Sequence, residues 1–126
     1  MMLQQIREDL KEVLTGITPQ LYTYEPERPV PSCIIITAAT SFLRVNDEDF
    51  GPSYTSNWRL QPIVKVAVNQ IETSNLDETI MEIVQAVWQV EGVATVEVDK
   101  PFIVELNGAS YLSTYINIQM YSQGGI

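Results

Sequence analysis

Phe102-Ile103-Val104-Glu105-Leu106-Asn107-Gly108-Ala109-Ser110-Tyr111-Leu112 is the stretch that decides the fold. An Asn-Gly pair between two runs of β-favouring residues signals a two-residue hairpin, because both central positions of a type I′ turn need positive φ. Such a loop also fixes the register: Leu106 faces Ala109, Val104 faces Tyr111, and Ile103 faces Leu112. Paired residues share a face of the sheet. Ile103, Leu112, Ile116 and Ile118 are therefore expected on one side, forming the core beneath helices. Phe102, Val104, Leu106 and Tyr111 fall on the other side. Both faces are apolar at this end of the sheet.

Working outward, a strand is expected over 93–98 and a long one over 109–121. Before them a helix starts near Leu76, with Ser74 or Asn75 as its cap and Asp77 and Glu78 at the positive end of its dipole. Ile80, Ile83, Val84, Val87 and Trp88 make its apolar stripe, and Gly92 ends it. Residues 56–69 alternate as a strand does. Trp58, Leu60, Val64, Val66 and Val68 point one way, and Arg59, Gln61, Lys65 and Asn69 the other. Pro62, lacking a donor, predicts an edge or a bulge there. Residues 32–38, with the run Cys33-Ile34-Ile35-Ile36, are apolar on both faces and read as an interior strand, which 41–45 either continues or leaves. Asn46-Asp47-Glu48-Asp49-Phe50-Gly51-Pro52 has loop composition, so a flexible acidic loop is expected over about 44–57. At the start, Leu3, Ile6, Leu10, Val13 and Leu14 line one side of a helix over Met2–Leu14, with Gly16 as its stop. A short extended piece over 20–24 follows. Three prolines over 25–31 then exclude both helix and central strand. Two helices cover one face of a sheet; the other apolar face needs a cover, either a neighbouring subunit or a local loop.

The chain has 126 residues, one domain's worth. That length buries roughly two-thirds of the surface its unfolded form exposes, without metal or disulfide staples. Sixteen acidic residues against seven basic ones give a formal net charge of −9. Such a surface repels a phosphate backbone, and Arg7, Lys11, Arg28, Arg44, Arg59, Lys65 and Lys100 are scattered, so binding to nucleic acid by counterion release is not expected. Cys33 is the single cysteine. In its apolar run it acts as a small buried hydrophobe, which fits a reducing or redox-indifferent setting. The first residues lack the features of a signal peptide, and no apolar stretch is long enough for a bilayer. The expectation is a soluble protein made in a cytoplasm, with no membrane partner.

Catalytic equipment is sparse. The chain contains no histidine, which removes the commonest general base near neutral pH and the commonest zinc ligand. No nucleophile elbow, P-loop or dinucleotide fingerprint occurs, and Gly108-Ala109-Ser110 sits in a hairpin turn, the wrong setting for a nucleophile. Asp47-Glu48-Asp49 before Gly51 faintly echoes a calcium loop but lacks the remaining ligands, and reads as a solvated acidic loop. Nothing marks a cleft with a protected acid for glycoside hydrolysis. Tyr22, Tyr24, Tyr111, Tyr115 and Tyr121 suit strands and interfaces better than base stacking. The expectation is a protein that is not an enzyme and holds neither metal nor cofactor.

Taken in order, these patterns resemble the tail terminator family of siphophages over nearly the whole chain, residues 2–121. An amphipathic helix leads into Leu21-Tyr22-Thr23-Tyr24-Glu25-Pro26 and Val30-Pro31-Ser32-Cys33-Ile34-Ile35-Ile36. Trp58-Arg59-Leu60-Gln61-Pro62-Ile63-Val64-Lys65-Val66 is an aromatic-led strand. Leu76-Asp77-Glu78-Thr79-Ile80-Met81 then precedes Asn107-Gly108-Ala109-Ser110-Tyr111-Leu112 and a final long strand. The acidic segment 46–49 has no counterpart in the family pattern. The resemblance implies an α/β fold of the α+β kind: a mostly antiparallel, twisted, mixed sheet with two helices packed on one face. It implies a structural virion protein at the tail–neck junction, a ring, expected to be hexameric, that caps the tail tube and ends its polymerisation. Its partners would be itself, the tail tube protein and the head connector protein. Phe102, Val104, Leu106 and Tyr111 are the candidate subunit or tube interface. Asp47, Glu48 and Asp49 are candidate lumen-facing residues beside passing genomic DNA that is not specifically bound. The alternatives are a head–tail connector or head-closure neck protein, and a non-phage adaptor domain that binds a peptide along a sheet edge.

Overall fold

The structure, a computed structural model, describes residues 2–48, 51–65 and 70–123. It is α+β, with helices α1 (Met2–Leu14) and α2 (Gln70–Val87) and strands β1 (Gln20–Tyr22), β2 (Cys33–Glu48), β3 (Gly51–Lys65), β4 (Val93–Val98), β5 (Phe102–Leu106), β6 (Ala109–Ser113) and β7 (Ile116–Gln123). The seven strands form one open sheet, mixed because β1 runs parallel to β2 while the other pairs are antiparallel.

Two long hairpins make up most of the sheet. β2 and β3 pair from Cys33↔Ile63 to Glu48↔Gly51, with a bulge between Ala38 and Leu43. The expected loop over 44–57 is thus strand on both arms, and its outer half continues the ladder beyond the bulge. Its polar and acidic residues match a loop in composition, but they lie where no described layer covers the sheet, so strand there needs no apolar alternation. The second hairpin runs β4 then β5 out and β6 then β7 back. Its turn gives the expected register, Leu106↔Ala109 to Phe102↔Ser113, and both Asn107 and Gly108 take positive φ, 52° and 80°. The return strand expected over 109–121 is two strands, interrupted at Thr114-Tyr115 opposite the 99–101 connection. Thr114 Oγ1 donates to the Asp99 carbonyl, and the Asp99 N–H donates to the Tyr115 carbonyl at 2.9 Å.

β3 lies at the centre. One side pairs with β2; the other pairs with β7 over 53–60 and with β6 over 63–65. Pro62, for which an edge or a bulge is expected, is therefore on an interior strand. It sits at the switch from β7 to β6, and its carbonyl accepts from the Ser113 hydroxyl at 2.9 Å. In an antiparallel ladder a residue's N and C=O face the same neighbour. The proline nitrogen thus faces the one place on that side where no ladder donor is needed.

Both helices pack on one face. Ile6, Leu10 and Leu14 of α1, Ile83 and Val87 of α2, and Ile34, Ile36, Trp58, Leu60, Ile116 and Ile118 of the sheet are buried together. Phe42 meets the Trp58 ring edge-on at 4.9 Å, and the Arg7 guanidinium lies 5.1 Å from that ring's centre. α2 begins at Gln70, earlier than expected, which puts Ser74 and Asn75 inside the helix, where neither caps it. Trp88 does not join the buried stripe. The helix ends at Val87, the chain turns, and Val90 takes the buried place while Trp88 is 52% exposed. Val66, Val68 and Asn69 lie outside the described residues. Among the described residues no helix is long and apolar enough to cross a membrane.

Candidate interaction surfaces

Because strand residues alternate, the helix-free face carries Cys33, Ile35, Arg59, Gln61, Ile63, Tyr111, Tyr115 and Asn117. Its two ends differ. At the β5–β6 end, Cys33, Ile35 and Ile63 form a second, smaller buried cluster, with Tyr22, Leu106 and Tyr111 packed against it. The chain thus covers part of this face itself, through β1 and the second hairpin. Tyr22 is held in place as its hydroxyl accepts from the Val30 N–H at 3.2 Å. Burial pushes the Cys33 thiol up to about 11, so it stays protonated and unreactive at neutral pH.

All four candidate interface residues lie on this face, as the turn's register requires. Leu106 and Tyr111 belong to the second cluster. Phe102 packs on Tyr115 with ring centres 5.0 Å apart, and Val104 is half-exposed. The Arg59 guanidinium lies over the Tyr115 ring at 4.3 Å, and Arg59 Nε donates weakly to Asn117 Oδ1 at 3.4 Å. From there the face turns polar, and an open groove of about 470 Å³ is lined by Asn57, Arg59, Glu97, Asn117 and Gln119 among others.

Ile103 is on the helix-side face, as expected, but not in the core: it is 65% exposed. Its register is right, but the helices do not reach over β5. The same holds at the opposite end, where Leu43 and Val45 project from the helix-side face of β2 and are exposed. Neither overhang was legible in the sequence, since alternation tells which face a residue takes but not how far the covering layer extends.

Of the acidic candidates, Asp47 is exposed on β2 opposite Pro52, and Glu48 is the last residue of that strand. Asp49 lies outside the described residues. Among the described residues no group of three or more potential ligands is placed to hold a metal ion. Among the described residues, the large apolar side chains exposed on α2 and the turn after it are Met81, beside Asp77, Glu78 and Glu82, and Trp88.

No protein-family model matches the chain, and neither does any curated protein. Among solved structures, the chain is similar to one described as the virion of a native gene transfer agent particle. That match has 13% sequence identity and a TM-score of 0.38, over 95% of this chain and 91% of the other.

Proposed function

We propose that this chain is a ring-forming structural protein of a phage-type virion. Its ring, expected to be hexameric, would cap the tail tube, end tube polymerisation and meet the head connector. The observation that carries the proposal is the one-sided sheet. Helices cover one face, while on the other Phe102 and Val104 remain half-exposed beside the Cys33, Ile35 and Ile63 cluster. Apolar surface of that kind is what a repeated subunit contact buries. The order of sequence patterns that resembles the tail terminator family adds to it, as does the want of a histidine. In the same proposal the protein performs no catalysis and takes no cofactor. The tips of the first hairpin, with Asp47, Glu48 and Asp49, would line the lumen. Screening confines their repulsion of DNA to about 8 Å at physiological salt, enough for a non-stick lining.

Native mass together with negative-stain imaging, for the chain alone and with purified tail tubes, tests this. Rings, or caps at one tube end with growth halted, are the expected result. Class averages with the hairpin tips at the outer rim would remove the lumen role. A chain that neither assembles nor touches tubes would instead point to a strand-binding adaptor. One observation favours that second reading: the outer side of β2 carries no described partner beyond Ile35.

A further inference from the structure

The sheet is open at both sides. β1 pairs with β2 only at Cys33, Ile34 and Ile35. From Ile36 to Glu48 no strand among the described residues pairs with the outer side of β2. At the far side β4 and β5 pair inward, with β7 and β6, and no described strand pairs with their outer side. A long free edge is a template for another strand unless prolines or charges blunt it. The free stretch of β2 has no proline, and its charges, Arg44, Asp47 and Glu48, come only toward its tip.

The two free edges match in direction, in faces and in charge. β2 is antiparallel to β3, β3 to β7 and β7 to β4, so β4 runs opposite to β2. Copies placed head to tail around an axis bring these edges together as an antiparallel ladder. On the helix-side face, beyond the helices' reach, Leu43 and Val45 are exposed along one edge, and Val98 and Ile103 along the other. On the opposite face lie Arg44 on the first edge and Glu97 on the second, paired within the chain to Thr55 and Asn117. Among the described residues no strand pairs with the outward side of the β4 backbone. The Asp99 N–H bonds inward to Tyr115, so Glu97, two residues away, also bonds inward. Val96 and Val98 then present their N–H and C=O groups to the open side.

We propose that the free edge of β2 takes the β4 edge of a second copy of this chain, so that the ring closes through a sheet continued from copy to copy. This rests on the ring-forming function proposed above and names the surfaces that close the ring. Val98→Pro deletes an outward donor and leaves the bonds to β7 untouched, whereas Val98→Ala shortens the side chain and keeps the donor. Sedimentation and native mass over a concentration series, with circular dichroism to verify folding, compare the two with the unaltered chain. The unaltered chain and Val98→Ala are expected to form rings, and Val98→Pro to need about tenfold more protein or to stay monomeric. A folded Val98→Pro that assembles like the unaltered chain overturns the edge pairing while leaving the ring intact. Should Val98→Pro fail to fold, charge exchange decides. Arg44→Glu and Glu97→Lys should each weaken assembly and together restore it, and no recovery in the double variant overturns the pairing. An unaltered chain that remains monomeric at every concentration, with tail tubes and without, overturns the ring itself and this pairing with it.

Discussion

The two hairpins make the same kind of object from different materials. In the first, β2–β3, the inner half lies under the helices and the outer half, beyond the bulge at 38–43, projects past them with Leu43 and Val45 exposed. In the second, the half far from the turn lies under the helices and the turn half projects the other way, with Ile103 exposed. The turns therefore sit at opposite ends of the sheet. The second projection is anchored from behind, where Leu106 and Tyr111 pack on Cys33, Ile35 and Ile63. Among the described residues the first has no such support: the side chains buried near its tip are Ser53 and Ser56. Ser56 at least accepts from the Trp58 indole N–H at 2.9 Å, while the Ser53 hydroxyl is buried with no hydrogen-bond partner among the described residues. Among the described residues, then, the second overhang carries a core of its own and the first does not.

The largest test of that contrast sets Ile35→Ala against Val45→Ala. Ile35 is fully buried in the second cluster, and truncating it should cost about 2–5 kcal/mol in denaturant unfolding. Val45 is 56% exposed, and its truncation should fall within about 0.5 kcal/mol. Equal costs would mean that the first hairpin's tip has a support of its own.

A pH titration gives the next effect. Burial holds the Cys33 thiol at about 11 in the fold, above its ordinary 9.0. Between those values the unfolded chain has lost its thiol proton and the folded chain has not, so stability falls as pH rises from 9 to 11 and is undiminished below 9. The loss should be on the order of 2 kcal/mol. Cys33→Val should remove this component, measured as the difference in unfolding free energy at pH 8 and pH 10.5.

The smallest effect separates the turns. Gly108, at φ 80°, stands near the left-handed region that other residues can enter, whereas Gly51, at φ 114°, stands well outside it. Neither has an atom in the way of a Cβ. Gly108→Ala should therefore cost about 1 kcal/mol and Gly51→Ala about 1–3 kcal/mol, through backbone strain alone. A reversed order in thermal unfolding would show that the first turn relaxes on substitution.

The same contrast explains what the sequence made legible. Asn107-Gly108 states its turn type in two residues, so register and facing of the second hairpin followed from it, down to the placing of Phe102, Val104, Leu106 and Tyr111. α1 was legible from its apolar spacing to its final residue. The first hairpin's tip was not, because Asn46-Asp47-Glu48 matches a loop in composition, yet Asn46, Asp47 and Glu48 pair with Ser53, Pro52 and Gly51. Pro62 marks no edge but an interruption of the ladder. Its lost donor is harmless inside a sheet when the neighbour changes at that residue, and only the ladder of β3 with β6 and β7 reveals the change. Trp88 misled because the helix ends one residue before it, and Ile103 because the helices do not reach over β5.

The central strand also has a consequence for the order of synthesis. β3 is complete once residue 65 is made, yet its second partners lie in 109–123. Through the intervening synthesis the first hairpin stands with two open sides, one of which is destined for the middle of the sheet. Nascent strands in that condition are prone to pair with a neighbouring chain. On that waiting side Pro62 offers no donor, a permanent gap that blunts the strand, and its carbonyl stays unpaired until the Ser113 hydroxyl arrives to donate to it.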